Sequence, residues 1–292
     1  MISLGYRRLN YDGCLFVRNE HQLLSVYVDD IIIAAPDDSQ LNNMLNELEI
    51  VFKIRDLGNV SRILGLDVYD EKERIIVKQT NYIKSLLTKY NMWELILIRY
   101  GKKLQKKTIV GSLLYLSTVS RPDLCFAVGS LARYTEFEHH LFEPGVKRIL
   151  RYLRGTLELG IVFKKFKSIE RQNSVATSTC KAGLTSMFKA TVEAVGIKNI
   201  NEELLLLKIH IHLHADNRAA ISIAMGGVAT PSSRHFKIVF SFLKELTDSK
   251  ILQISYVDTK NNMADVFTKA LNRTLLNNCK NHYLGLSFDM IL

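Results

Sequence analysis

Cysteine is scarce in this chain, and what there is lies scattered. Cys14, Cys125, Cys180 and Cys279 form no C-x-x-C pair, which argues against a zinc knuckle or a disulfide framework and fits a reducing setting. Proline and glycine are also limited, at 4 and 15 of 292 residues, while 47% of residues are hydrophobic and 23% charged. That balance belongs to a globular protein of about two domains, with no long disordered tract. The apolar stretches are broken by charge or histidine well short of the ~20 residues of a bilayer span, and the opening MISLGYRRLN has no apolar signal core. The expectation is an intracellular protein, cytoplasmic or nuclear, with no membrane partner. Internal repeats and low-complexity tracts are absent, as are a glycine-rich phosphate loop, a G-x-S-x-G elbow and an H-E-x-x-H pair.

Acidic residues are outnumbered, 29 against 39 basic ones, for a formal charge of +10 and a pI near 9.3. An excess of cations favours a polyanionic partner. Two segments concentrate it. RYGKKLQKK carries Lys102, Lys103, Lys106 and Lys107 without an acid, and the stretch after Val146 carries Lys147, Arg148, Arg151 and Arg154. The arginines recur every three residues opposite Ile149, Leu150 and Leu153, which predicts a helix with one basic face. For the first segment a solvated face is an equal alternative, since no aromatic residue is interleaved for base stacking.

The acids that are present are placed oddly. LLSVYVDDIIIAA sets Asp29 and Asp30 inside an apolar run, where ionised carboxylates are costly unless paired or solvated. One reading makes Asp-Asp the turn of a β-hairpin, between Leu24, Val26 and Val28 on one side and Ile31, Ile32 and Ile33 on the other. The other has the hairpin tip hold divalent metals for phosphoryl transfer.

After Pro36, the Asp37-Asp38-Ser39 cluster predicts the start of a helix burying Leu41, Met44, Leu45, Leu48 and Val51. Two strands joined by a charged turn near Asp70 to Arg74 follow. Thr80 is expected to cap a helix burying Tyr82, Ile83, Leu86, Leu87 and Tyr90. From about Tyr100 the pattern is helical, interrupted at Arg121-Pro122-Asp123, until GIVFKKF returns as a strand. The last third alternates a helix around Met187, Phe188, Thr191, Val192 and Val195, the strand IHIHLHA, a helix through Phe236, Val239, Phe240, Leu243 and Leu246, and the strand ILQISYV. The fold class is therefore α+β, ending in an α/β unit.

In IHIHLHAD, residues His210, His212, His214 and Asp216 share one strand face. Four ligands along one straight strand do not close a tetrahedron, so an amphipathic strand is the simpler reading. Asp216 ends that strand ahead of an Ala-rich helix. Asp265 is expected to open a helix, where the N-terminus stabilises a carboxylate; with Asp216 it suggests a partial two-metal nuclease set.

These motifs, in this order, resemble the Pol polyprotein of Ty1/copia-type retrotransposons, in its reverse transcriptase and ribonuclease H portions. YVDDIIIAA resembles the polymerase active-site hairpin, and DLGNVSRILGLDV the family's D-L-G-x-x-x-x-F-L-G-I-x-V segment. GSLLYLSTVSRPDLCFAVGSLARY and VKRILRYLRGT resemble the connection. HADNRAAISIA, SSRHFKIVFSFLKE and YVDTKNNMADVFTKAL resemble the ribonuclease H end.

The resemblance implies a partial reverse-transcriptase palm over 1–98, a β-hairpin with packed helices. It further implies a helical, basic connection over 99–165 and a truncated ribonuclease H-like α/β domain over 166–292. Asp29 and Asp30 would then be two of three polymerase carboxylates, binding Mg²⁺ or Mn²⁺, with an RNA template, an RNA/DNA hybrid and other Pol segments as partners. The third carboxylate belongs to a D-x-x-x-A-F-L setting well upstream of YVDD, and only 28 residues precede Asp29 here. Asp12, in DGCLF, matches a non-catalytic segment. In the ribonuclease H part, GIVFKKFKSIERQNSVATS passes over the D-A-D-W strand, so two strands are expected to be missing. Lys181 and Gly183 stand where the S-S-T-E-A-E-Y helix has acids. Asp216 and Asp265 match the remaining two nuclease carboxylates. The chain is thus expected to be an inactive fragment, or a nucleic-acid-binding remnant of a decayed element.

Overall fold

The computed structural model describes residues 1–19, 21–93, 105–136, 140–165, 173–176, 180–206, 208–226 and 237–284, with backbone only at 173–176, 180–182 and 237. Helix and sheet are mixed throughout. After a 3-10 turn at Ile2–Leu4 come β1 (Arg7–Arg8), β2 (Leu15–Arg18), β3 (Gln22–Tyr27), β4 (Asp30–Ala34) and α1 (Asp38–Val51). Asp37 caps α1 as expected, accepting the Gln40 N–H at 2.8 Å. The buried face of α1 is narrower than its periodicity suggests: Met44 and Leu48 are buried, whereas Val51 is exposed.

Next are β5 (Arg62–Ile63), β6 (Leu66–Asp70), β7 (Arg74–Lys78) and α2 (Thr80–Lys89). The charged turn falls between β6 and β7, as expected. Strand β5 is an addition, joined to β6 through Leu64 and Gly65 at φ 50° and 79°, the left-handed pair that a tight two-residue hairpin loop needs. Thr80 does not cap α2. It is the first helical residue, and its hydroxyl donates instead to the Leu157 carbonyl at 3.2 Å.

The helical stretch comprises α3 (Lys106–Val119), a 3-10 turn at Pro122–Leu124, α4 (Cys125–Ala132) and α5 (Phe142–Arg154), followed by β8 (Ile161–Lys164). Gly160 leads into β8 so close to β7 that a Cβ there would lie 2.4 Å from the Val77 carbonyl oxygen. The remainder is β9 (Asn173–Ala176), α6 (Cys180–Leu205), β10 (Ile211–Ala215), α7 (Arg218–Ala224), α8 (Lys237–Asp248), β11 (Leu252–Tyr256), 3-10 segments at Thr259–Asn261 and Met263–Phe267, and α9 (Arg273–Leu284). Among the described residues no helix is long and apolar enough to cross a membrane.

Contacts divide the chain into two compact units, each built from two separate stretches: Met1–Val60 with Glu170–Asn262, and Ser61–Ile169 with Met263–Leu292. The first unit holds two sheets. One is antiparallel, in the order β1-β2-β3-β4, and packs Leu24, Met44 and Leu48 with Tyr6 against Phe16, Val26, Ile31 and Ile33. The other is parallel, in the order β9-β10-β11. Ile211, Leu213, Ala215, Leu252 and Ile254 from its strands join Leu184, Met187, Ala220 and Leu243 of the helices in a second core. On α6, Val192 is exposed rather than buried. Phe236, expected in the α8 face, lies outside the described residues.

Glu203, near the end of α6, ties this unit together. It forms an ion pair with Arg7 at 2.6 Å and accepts from the Asn10 backbone and side chain at 2.9 Å.

The second unit has an antiparallel sheet, β5-β6-β7-β8, and one helical core. Ile83 and Leu87 of α2, Ile109, Leu113 and Leu116 of α3, Val128 of α4 and Leu150 and Leu153 of α5 are completely buried there.

Candidate functional site

The Asp29-Asp30 pair sits at the β3–β4 hairpin, one residue out of the expected register. Tyr27 pairs with Asp30 across the ladder, so the loop is Val28-Asp29 and Asp30 is already the first residue of β4. The cause is the alternation itself. Val26 pairs with Ile31 and Leu24 with Ile33 on the α1 side, and a turn centred on both aspartates would move those side chains off the core. Asp29 and Asp30 are both exposed, which removes the desolvation problem raised by their apolar flanks. Val28 takes φ 52° and is 83% exposed. A β-branched residue in the left-handed region is strained by about 1–2 kcal/mol, so the hairpin holds its aspartates on a constrained tip.

The other acids lie elsewhere. Asp216 follows the end of β10 and is half-buried, with the Thr259 hydroxyl donating to it at 3.4 Å. Asn217 caps α7 by accepting the Ala220 N–H at 2.9 Å. This is the carboxyl end of a parallel strand, where ligand sites of open α/β sheets gather.

Asp265 does not open an α-helix. It is the third residue of the 3-10 segment Met263–Phe267 and only 5% exposed, and Lys269 forms an ion pair with it at 2.9 Å. Its charge is therefore answered by an ammonium rather than directed at solvent. Asp216 and Asp265 belong to different compact units.

Of the histidines, His210 donates from Nδ1 to the Lys250 carbonyl at 2.9 Å, and His214 Nδ1 lies 2.8 Å from the Ser255 hydroxyl across the ladder. His212 and His214 are half-buried on the face opposite the core residues Ile211, Leu213 and Ala215. Among the described residues no three His, Cys, Asp or Glu side chains converge as a metal-holding group. The described side chains therefore bring no complete two-metal ligand set together.

The basic helix is α5. Phe142, Val146, Ile149, Leu150 and Leu153 are buried while Arg148 and Arg151 are exposed. Arg154 is committed elsewhere, donating to the carbonyls of Met92 and Trp93 at 3.3 and 2.8 Å. Lys147 is half-buried, Lys106 lies over the Phe142 ring at 5.3 Å, and Lys107 forms an exposed ion pair with Glu136 at 3.1 Å. Lys102, Lys103 and the side chain of Lys181 lie outside the described residues. Thr259 beside Asp216 and Lys269 beside Asp265 escaped the sequence reading. Lys269 follows Asp265 at helical i,i+4 spacing, a signal that was there to be used; the Thr259 contact spans 43 residues and leaves none.

Residues 1–98 match the family described as Reverse transcriptase (RNA-dependent DNA polymerase). Over nearly its full length the chain is similar to Retrovirus-related Pol polyproteins of plant transposons. It is 24% identical over 343 residues to the Retrovirus-related Pol polyprotein from transposon TNT 1-94 of Nicotiana tabacum, covering 96% of this chain and 26% of that protein. With the corresponding polyprotein from transposon RE1 of Arabidopsis thaliana it shares 27% identity over 336 residues, 95% of this chain and 23% of the relative. An uncharacterized mitochondrial protein of Arabidopsis thaliana is 27% identical over 189 residues, 58% of this chain and 75% of that protein. The chain thus spans about a quarter of the length of the two polyproteins.

Proposed function

We propose that this chain is a reverse transcriptase and ribonuclease H segment of a Ty1/copia-type Pol polyprotein that does not catalyse as it stands. The observation that carries the reading is the YVDD hairpin: two adjacent exposed carboxylates, Asp29 in the constrained two-residue loop and Asp30 at the start of β4. Phosphoryl transfer by a metal pair needs further convergent oxygen ligands, and the described residues bring no third acid to them. Segments 1–98, 99–165 and 166–292 would correspond to palm, connection and ribonuclease H-like portions. Asp29 and Asp30 would hold Mg²⁺ or Mn²⁺ together with a carboxylate from another Pol segment. The open edge of β4, which ends its sheet among the described strands, is a suitable place for such a segment to add.

Three features support an incomplete nuclease. By the resemblance, Lys181 and Gly183 would stand where the family has two acids, and Asp265 is ion-paired with Lys269. The alignment with the tobacco relative runs over 343 positions but covers 96% of 292 residues. About 60 of those positions, 343 less 280, therefore have no residue in this chain.

The segregated faces of α5 favour a second reading, in which the chain still binds RNA or an RNA/DNA hybrid through Arg148, Arg151 and Lys147. Primer extension on an RNA template with Mg²⁺ tests the first reading, and no incorporation is expected. Incorporation that Asp29→Asn abolishes would overturn it. The second predicts salt-sensitive binding that survives Asp29→Asn and Asp30→Asn; loss of binding in those variants would refute it.

A further inference from the structure

At the carboxyl ends of β10 and β11, Arg218 and Tyr256 stand together. Ala215 pairs with Tyr256 across the ladder, Asp216 comes next, and Arg218 is the first residue of α7. The Arg218 guanidinium carbon lies 3.9 Å from the centre of the Tyr256 ring. Arg218 is exposed and Tyr256 keeps 41% of its surface accessible. The following loop folds over the same end, with the Val257 N–H donating to Ala215 at 2.9 Å and Thr259 reaching Asp216.

We propose that Arg218 and Tyr256 form a stacking platform for an unpaired base of a single-stranded nucleic acid, separate from the basic face of α5. The inference rests on the nucleic-acid-binding reading and names where a single strand is held. Arg121, by contrast, is buried and answered by Asp123. Arg218 instead meets no carboxylate in an ion pair among the described residues. Its planar cation packs on an aromatic ring in the open, an arrangement that accepts a further π-face.

The neighbouring charge selects the type of contact. The Asp216 carboxylate two residues away, with Asp258 in the next loop, disfavours a phosphate at this point, whereas a neutral base face is not repelled. A base free to stack must be out of a duplex, so the ligand is single-stranded and the contact tolerant of sequence.

Fluorescence anisotropy of the full chain with a labelled oligopyrimidine RNA tests this. Tyr256→Ala and Arg218→Ala are each expected to weaken binding roughly tenfold. Tyr256→Phe should bind as the unaltered protein does. Arg218→Lys, which keeps the charge and loses the planar face, should behave like the alanine variant. Oligonucleotides carrying iodouracil should photocrosslink to Tyr256, a readout independent of affinity. Thermal melting checks that these exposed-site variants remain folded. Unchanged binding by Tyr256→Ala or Arg218→Lys, with Arg148→Ala/Arg151→Ala weakened, overturns the platform and leaves the basic helix standing. Failure of the unaltered chain to bind any nucleic acid overturns both.

Discussion

Asp123→Ala should unfold the second unit far more readily than any surface change. The Arg121 side chain is completely buried and that of Asp123 2% exposed. The guanidinium donates to both carboxylate oxygens at 3.0 and 2.8 Å and to the Thr156 carbonyl and hydroxyl at 2.9 and 2.8 Å. Tyr152 donates its hydroxyl to Asp123 at 2.7 Å, and burial together with the Asp123 charge holds the Tyr152 phenol well above its usual range.

Removing Asp123 leaves a guanidinium with no counter-charge and a phenol with no acceptor, which costs about 3–5 kcal/mol. With a urea m-value of about 2 kcal/mol/M, the unfolding midpoint falls by roughly 2 M. Trp93, the single tryptophan, reports on this unit from its hydrogen bond to Thr88 at 2.8 Å. Its fluorescence during urea titration is the assay. Arg121→Met combined with Asp123→Leu should cost markedly less than Asp123→Ala alone, since no orphaned charge remains. A cost below about 1 kcal/mol for Asp123→Ala would refute the claim that this pair organises the turn before α4.

Stability should fall in alkali. Burial pushes Tyr283 up to about 12 and raises Tyr152, Tyr90, Cys125 and Cys279. Groups that hold their protons more tightly when folded stabilise the protein below their unfolded values and lose that contribution as pH climbs through the folded ones. Loss should therefore begin near pH 9–10, around the ordinary thiol and phenol values, and a midpoint flat from pH 8 to 11 would contradict it. Val28→Gly should stabilise the hairpin by roughly 0.5–1 kcal/mol, because glycine adopts φ 52° without strain; a lower melting temperature would count against a strained tip. Glu203→Ala should speed amide exchange at Asn10, whose N–H loses its acceptor, and unchanged protection there would show that the clamp is dispensable.

Much of the local structure was legible because it is set by neighbours along the chain. The Asp37 cap, the β6–β7 turn and the apolar face of α5 all follow from spacing within a few residues. Errors arose where a residue serves a distant partner. Thr80 looks like a cap, but its hydroxyl goes to Leu157, 77 residues away. The hairpin loop falls one residue before the Asp-Asp turn that aspartate's turn preference predicts, because packing on α1 fixes the register. Asp265 has the sequence signature of a helix-opening acid; the i,i+4 spacing to Lys269 marks its ion pair, but its burial depends on the fold.

The two-stretch make-up of each compact unit also bears on how the chain can be made. During synthesis, residues 1–60 leave the ribosome long before 170–262 exist to complete their unit, so β1 to β4 wait with α6 and its Glu203 still untranslated. The second unit likewise waits for Met263 onward. Contacts so remote in sequence slow folding and lengthen the exposure of unpaired strand edges such as β4. A chain cut short anywhere between 61 and 262 would leave both units unfinished, making a release of partial products a route to aggregation rather than to a smaller working protein.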